Sequence, residues 1–370
     1  MDTQALNYEL PTDRIATTAA EPRDSAKLLV ARRDSGRVED RTVRELGDAN
    51  GLLRPGDLMV FNITRVLPAR FEATRRGTGG RVKGLYLGSA MPQTAGPGGD
   101  STRRAAAEWR VMLESRGTLQ AGELLDLEND ASLELIESHG DGQWRAQVNS
   151  GLDTPTLLDR IGDTPLPPYI RQARKVRGEP EIRPEDALRY NTVFAHDPGS
   201  VAAPTAALHF TPELLRQIDA LGVRRATLTL HVGLGTFAPV RTTTLESHAM
   251  HAEWISIPAR TIAALHQTRQ SGGRIIPVGT TCVRALESLP DPLPTTGDDY
   301  AANTNLFIKP PFSFRFADAL MTNFHLPRST LLALVAALPH VGLDRLMQWY
   351  SHAIEREYRF YSYGDAMLIL

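Results

Sequence analysis

Apolar and polar positions follow two different rhythms along this chain, and the change of rhythm is the first clue to its architecture. LMVFNITRVLPARF, residues 58–71, reads as a buried strand running into Pro68, where a missing amide donor ends regular pairing. From Arg70 to Ser150 the apolar runs are short and strand-like: Arg81 to Leu87, Trp109 to Leu113, Leu124 to Leu127, Leu133 to Glu137 and Trp144 to Val148. Between them, Arg116-Gly117, Ala121-Gly122 and Asp141-Gly142 supply the glycine that tight connections need. This predicts a small antiparallel β-barrel. Inside it, GSAMPQTAGPGGDSTRRAAA, residues 88–107, is rich in glycine, proline and alanine without periodicity, and a mobile loop is expected there.

After Pro155 strands alternate with amphipathic helices, the pattern of an α/β domain. Thr211 caps a helix with Pro212 in its first turn and an apolar stripe of Leu214, Leu215, Ile218 and Leu221. Strands are predicted at Ala226 to Val232 and Arg274 to Val278. A helix from near Thr281 carries Val283, Leu286 and Leu289, and Pro327 and Ser329 precede another over Leu331 to Leu338. The fold class expected is α/β: a large α/β domain, residues 1–68 and 155–370, interrupted by a small inserted antiparallel β-barrel domain, residues 69–154.

A 370-residue chain with 42% hydrophobic content can bury a sizeable core. Its single cysteine, Cys282, leaves no internal disulfide and no cysteine-based zinc cluster, as expected for a reducing compartment. The longest apolar stretch, Leu331 to Leu338, is far shorter than the roughly 20 residues that cross a bilayer, so a cytoplasmic protein without membrane contact is expected. The net charge of −2 argues against nonspecific coating of nucleic acid, yet two basic clusters stand out. One holds Arg65, Arg70, Arg75, Arg76, Arg81 and Lys83; the other holds Arg171, Arg174, Lys175 and Arg177. Solvated loops and RNA contact explain them equally well.

Five segments combine histidine, glycine and small polar residues where strands should meet helices, the places at which α/β folds collect ligands. In PGSVAAPTAALHFT, residues 198–211, Thr205 sits among small side chains, and His209 stands just before a helix start that should keep it neutral. HVGLGTF offers His231 and a turn at Gly233 and Gly235 whose amides can hold a carboxylate, although the dinucleotide fingerprint is absent. HAMHAE brings His248, His251 and Glu253 together, but neither the zinc-protease spacing nor a cysteine pair is present, so acid/base work by His251 or Glu253 is expected ahead of metal binding. VGTTCVRALE sets Thr280 and Thr281 at a strand-to-helix turn, with Arg284 and Glu287 one turn apart and able to pair. Cys282 is a nucleophile there only if its thiol pKa is depressed; packing is the plainer role. TNFHLPRST supplies Asn323 and His325.

Taken together, YELP, RPGDLMVFNITRVLPAR, PLPPYI, PGSVAAPTAALHFTPELL, TLHVGLGTFAPV, HAMHAE, VGTTCVRALES, TNFHLPRSTLL and YRFYSYGDAMLIL closely resemble the S-adenosylmethionine:tRNA ribosyltransferase-isomerases of queuosine biosynthesis, nearly end to end. The resemblance implies a large α/β domain interrupted by a small β-barrel. It also implies transfer of the ribosyl group of S-adenosylmethionine to 7-aminomethyl-7-deazaguanine at the tRNA wobble position, yielding epoxyqueuosine, adenine and methionine. Beyond S-adenosylmethionine as co-substrate it implies no cofactor and no metal, because the sulfonium itself acidifies the neighbouring sugar carbon.

Carried onto this chain, the resemblance makes His209, His231, His251 and His325 candidate proton carriers, with Glu253 orienting one of them. Thr205, Gly233, Gly235, Thr280, Thr281, Arg284 and Asn323 hold substrate, Tyr363 and Asp365 line the site from the C-terminal tail, and Arg65, Arg70, Lys83 and Arg171 meet the RNA. A monomer is expected. Four positions depart from the family pattern: Ile63 for aspartate, Lys83 for glutamate, Cys282 for serine and Pro311 for glycine. They leave open a divergent paralogue with another acceptor, or an RNA-binding protein without catalysis. A metal-dependent hydrolase built on His248, His251 and Glu253 is the rival from a different enzyme class.

Overall fold

The computed structural model describes residues 1–89, 107–233, 242–248, 250, 252–294 and 297–370. Residues 90–106 of the expected mobile loop, Gly235 and His251 lie outside the described residues. The chain forms two compact units, Met1–Arg65 with Leu166–Leu370, and Val66–Pro165.

The first unit begins with β1 (Lys27–Ala31), β2 (Val38–Thr42), β3 (Leu58–Asn62) and β4 (Thr64–Val66). The long strand expected over residues 58–71 is thus broken at Ile63, whose amide donates to Leu228 O and whose carbonyl accepts from His196 N. The second unit then follows as β5 (Arg70–Arg75), β6 (Arg81–Ser89), β7 (Glu108–Ser115), β8 (Leu124–Asp126), β9 (Ser132–Gly140), β10 (Gln143–Asn149), α1 (Thr154–Ile161) and β11 (Gly162–Asp163). Strands β5-β6-β7-β10-β9-β8 pair in that order and β8 returns to β5, which closes a six-stranded antiparallel barrel. Alternate residues such as Val82, Trp109, Val111, Leu133, Leu135 and Ala146 fill it, as period-two strands with one buried face require. Gly84 is where Phe71 crosses the wall; a Cβ there would lie 2.2 Å from the Phe71 ring. Asp153 caps α1 through Thr156 N at 2.9 Å, and β11 pairs back onto Arg70 and Phe71, so residues 154–163 belong with the barrel.

The chain re-enters the first unit through α2 (Pro168–Val176), α3 (Asp186–Arg189), β12 (Asp197–Ser200), α4 (Pro212–Ala220), β13 (Arg224–Leu230), β14 (Glu253–Ile257), α5 (Ala259–Gln270), β15 (Ile275–Val278), α6 (Thr280–Glu287), β16 (Tyr300–Thr304), β17 (Leu320–Asn323), α7 (Thr330–Ala336), α8 (Gly342–Glu355) and β18 (Ala366–Ile369). Among the described residues nine strands make one mixed sheet, ordered β16-β14-β13-β3-β15-β17-β18-β1-β2. Its centre, β13-β3-β15-β17, is parallel, and β14 and β18 join it antiparallel.

Both faces of the sheet are covered around its middle, so β1, β3, β15, β17 and β18 are buried almost throughout instead of alternating. Met59, Phe61, Ile276 and Leu368 pack with Leu214 and Ile218 of α4 on one side. Leu58, Val60 and Ile275 meet Ile262, Leu265 and Leu286 of α5 and α6 on the other. On that same side Leu29, Leu320 and Ile369 meet α7 and α8. Thr211 caps α4 through Leu214 N at 3.1 Å, and Ser329 caps α7 through Leu332 N at 3.3 Å, both as their sequence positions predict.

Candidate active site

The C-terminal ends of the parallel strands converge on one cleft, the position where open α/β sheets bind ligands. β15 ends at Val278, and Gly279 turns the chain straight into α6 with φ 98°, a conformation that favours glycine. β17 ends at Asn323, and the Gly279 amide donates to Met321 O at 2.7 Å, so the start of α6 lies beside Thr322 and Asn323. A 3-10 helix over Thr205–His209, preceded by Ala202 and Ala203, forms a wall of small side chains. The space between the cleft walls, open solvent included, is about 500 Å³, and every residue lining it belongs to the first unit.

Five expected site residues meet in this cleft: Thr205, Thr280, Thr281, Asn323 and His325. His325 is buried with Nε2 at 2.9 Å from Thr322 Oγ1, and burial pushes its pKa down to about 3. It is therefore neutral at physiological pH. Asn323 Nδ2 points into the protein, toward His209 Nε2 at 3.2 Å, Tyr361 O at 3.3 Å and Asp365 O at 3.5 Å. Two carbonyl acceptors fix the amide orientation, and Oδ1 is left buried without a donor. Thr281 Oγ1 is likewise buried, with only the weak Cys282 thiol as a polar neighbour. Unpaired polar atoms in a cavity wall are costly unless a ligand or water completes them. No Lys, Arg, Asp or Glu lines the described cleft.

His209 sits behind Asn323 rather than in the cleft. Its pKa is also lowered to about 3, chiefly by burial and then by Arg359 and Arg23, so the neutrality expected from a helix start has a different cause. Tyr363 and Asp365 likewise stand outside the cleft lining. Tyr363 is buried with its hydroxyl 3.4 Å from Asp186, and Asp365 accepts from Lys27 N and from the Arg359 backbone and side chain. The tail contributes Tyr361 and Ser362 instead, with Tyr169 from α2, whose hydroxyl is 2.6 Å from Ser362 Oγ and whose ring lies 4.7 Å from that of Tyr361. Tyr361 holds φ 73°, a strained conformation for an aromatic residue. Tyr361 and Ser362 were missed because the tail string gave no sign of which tyrosine turns inward, and Tyr169 because it stands on a helix remote in sequence from the five segments singled out; the positive φ of Tyr361 is visible only in the fold.

His231 lies away from the cleft lining, with Nδ1 2.9 Å from Thr64 Oγ1 and its ring stacked on Trp254 at 5.2 Å. Burial outweighs nearby Asp197 and holds its pKa below the usual value. The Gly233 amide is not exposed for a ligand carboxylate: it donates to Glu253 Oε1 at 3.1 Å. Glu253 is also ion-paired with Arg284, both buried, and Arg284 Nε donates to Leu306 O at 3.1 Å. The expected Arg284–Glu287 pair does not form. Glu287 instead accepts the amides of Arg315, Phe316 and Ala317. Burial pushes the Cys282 thiol up to about 12, which removes it as a nucleophile. Among the described residues no His, Cys, Asp and Glu cluster is placed to hold a metal ion.

The basic clusters are largely spent inside the fold. Arg75, Arg76 and Arg81 pair with Glu123, Asp126 and Glu72. Arg174 is buried in a two-pronged pair with Asp186, and Arg177 donates to carbonyls of residues 13 and 15. Arg171 lies 3.7 Å from Glu181, Lys83 is exposed opposite Glu72 and Glu114, and Arg65 and Arg70 are half-buried on β4 and β5.

The queuosine biosynthesis protein family model matches residues 3–369. An S-adenosylmethionine:tRNA ribosyltransferase-isomerase of Sphingopyxis alaskensis is 44% identical over 375 residues, covering 100% of this chain and 97% of that protein. One of Thermotoga maritima is 42% identical over 370 residues, with 100% of each covered. The crystal structure of S-adenosylmethionine tRNA ribosyltransferase from Thermotoga maritima matches 99% of this chain and 100% of its own, with a TM-score of 0.53 and 33% identity. Matched from end to end in sequence and in structure, the chain belongs to the queuosine biosynthesis protein family.

Proposed function

We propose that this chain transfers and isomerises the ribosyl moiety of S-adenosylmethionine onto 7-aminomethyl-7-deazaguanine at the tRNA wobble position, leaving epoxyqueuosine in the tRNA and releasing adenine and methionine. One observation carries the reading: relatives named S-adenosylmethionine:tRNA ribosyltransferase-isomerase align with all of the chain, the cleft-forming segments included.

The cleft suits a sulfonium. Its described lining has no ionised side chain to repel or trap a cation, and the aromatic residues Tyr169 and Tyr361 stand in its wall. His325 is the histidine in the described lining and is neutral, with a lone pair available for a proton from the sugar carbon beside sulfur. A pKa near 3 makes it a weak base in the empty cleft. The proton leaves a carbon already polarised by the sulfonium, and the charge gained by the imidazole replaces the charge quenched at sulfur. The sugar ring then opens with loss of adenine to leave an aldehyde and a vinyl sulfonium. The aminomethyl group of the deazaguanine adds to that alkene, and the ylide carbon so formed closes onto the aldehyde. The resulting alkoxide closes the epoxide and expels methionine as a neutral thioether. Asn323 and Thr281 hold the substrate, and Arg65, Arg70, Lys83 and Arg171 remain the candidate contacts to RNA.

The test is to mix the protein with ribosyl-labelled S-adenosylmethionine and tRNA bearing the aminomethyl base. Adenine and methionine released in equal amounts, with label in the tRNA, are expected. Binding of that tRNA without adenine release would replace the reading with RNA binding alone.

A further inference from the structure

Resting on that reading, we propose that the first turn of α6 and Asn323 form a subsite for the α-amino-acid end of the sulfonium substrate, its carboxylate on α6 and its ammonium on Asn323. Helix α6 starts at Thr280 after Gly279, which has no side chain to cap it. The amides of Thr280 and Thr281 occupy the first helical positions, where no intrahelical acceptor exists. Such a helix start attracts a carboxylate through both its free N–H groups and its dipole. Helix geometry alone would prove little.

The second observation is chemical. Thr281 Oγ1, in a residue only 8% exposed, has no polar neighbour but the weak Cys282 thiol, and Asn323 Oδ1, in a residue 3% exposed, has no donor; both residues line the cleft. Asn323 Nδ2 is held by the wall behind it, so the group left over is purely an acceptor. A hydroxyl with two free amides takes an anion, and a lone amide oxygen takes a donor. The Gly279 to Met321 hydrogen bond sets the two groups side by side across neighbouring strands. Adjacent anion and cation sites are the complement of a zwitterion, which the methionyl end of S-adenosylmethionine is. The Gly233 amide, the other candidate for the carboxylate, is already taken by Glu253.

Equilibrium binding of the full chain to three ligands tests this: S-adenosylmethionine, its decarboxylated form and its deaminated form, each with and without tRNA carrying an unmodified wobble guanine. Charge-assisted hydrogen bonds of this kind predict that each deletion weakens binding about tenfold to a hundredfold. Thr281→Val should weaken S-adenosylmethionine and the deaminated form but leave the decarboxylated form nearly unchanged, while Thr281→Ser should restore wild-type selectivity. The valine variant should keep its thermal midpoint, because the only neighbour its hydroxyl loses is the Cys282 thiol, a weak hydrogen-bond partner. Equal affinity of the wild type for all three ligands, or an equal loss for all three in Thr281→Val, would overturn the subsite while leaving the proposed reaction standing. No affinity for S-adenosylmethionine under either condition would overturn both.

Discussion

Arg284 and Glu253 are 31 positions apart in the chain and form a buried ion pair that also anchors the Gly233 amide. Leaving one partner of such a pair alone in the interior costs about 3 to 5 kcal/mol. Arg284→Ala should therefore lower the thermal midpoint as well as stop adenine release, which separates it from a purely catalytic loss; calorimetry beside the adenine assay distinguishes the two. Histidine protonation gives a second prediction at this scale. His209 and His325 hold pKa values of about 3 against 6.5 for a free imidazole, so the unfolded chain binds more protons between those limits. Their contribution to stability is complete above pH 6.5 and is lost as pH falls toward 3, by about 1.4 kcal/mol per pH unit for each ring. Urea titrations from pH 6.5 to 5 should show unfolding free energy falling on that slope, and His209→Gln should flatten it by about one proton. Thr205, Thr280, Thr281, Asn323 and His325, all singled out in the sequence, line one cleft. Partners were not, because Glu287 is one turn from Arg284 on the same helix, whereas Glu253 reaches it only when β14 docks against α6.

At the scale of elements, local signals worked where the physics is local. The caps Thr211 and Ser329 and the barrel strands followed from turn chemistry and period-two alternation. Helices α5 and α8 were not anticipated. The sheet faces that cover them are distant in sequence, and α5 has only a narrow buried stripe of Thr261, Ile262, Leu265 and Thr268. The turn at Gly279 links element geometry to activity. An alanine Cβ there would meet nothing closer than 3.5 Å, so the penalty comes from φ 98° alone, about 1 to 2 kcal/mol. Gly279→Ala should rotate the first turn of α6 and lower kcat/KM about fivefold to thirtyfold, by the same energy read as rate. Thr211→Ala, which removes a cap on α4, should lose about 1 kcal/mol of stability with kcat/KM unchanged. Equal kinetic effects of the two substitutions would disconnect the α6 turn from the reaction.

For the whole molecule, the chemistry proposed takes its driving force from the sulfonium, so it calls on neither metal nor redox cofactor. Exhaustive EDTA treatment followed by desalting should leave adenine release unchanged; loss restored by one added metal would reject that part of the reading. The two-unit organisation was legible because an insertion changes the hydrophobic period abruptly, from covered strands to alternating ones and back. The barrel, the α/β class of the larger unit and the family follow from the amino-acid order alone, since period, turn residues and long collinear motifs are properties of neighbouring positions. Which tyrosine of the tail enters the cleft, which acid neutralises Arg284, and which polar atoms are left waiting for a ligand were decided only by tertiary structure. Those outcomes depend on distances between segments far apart in the chain, and on burial, which no single stretch of sequence contains.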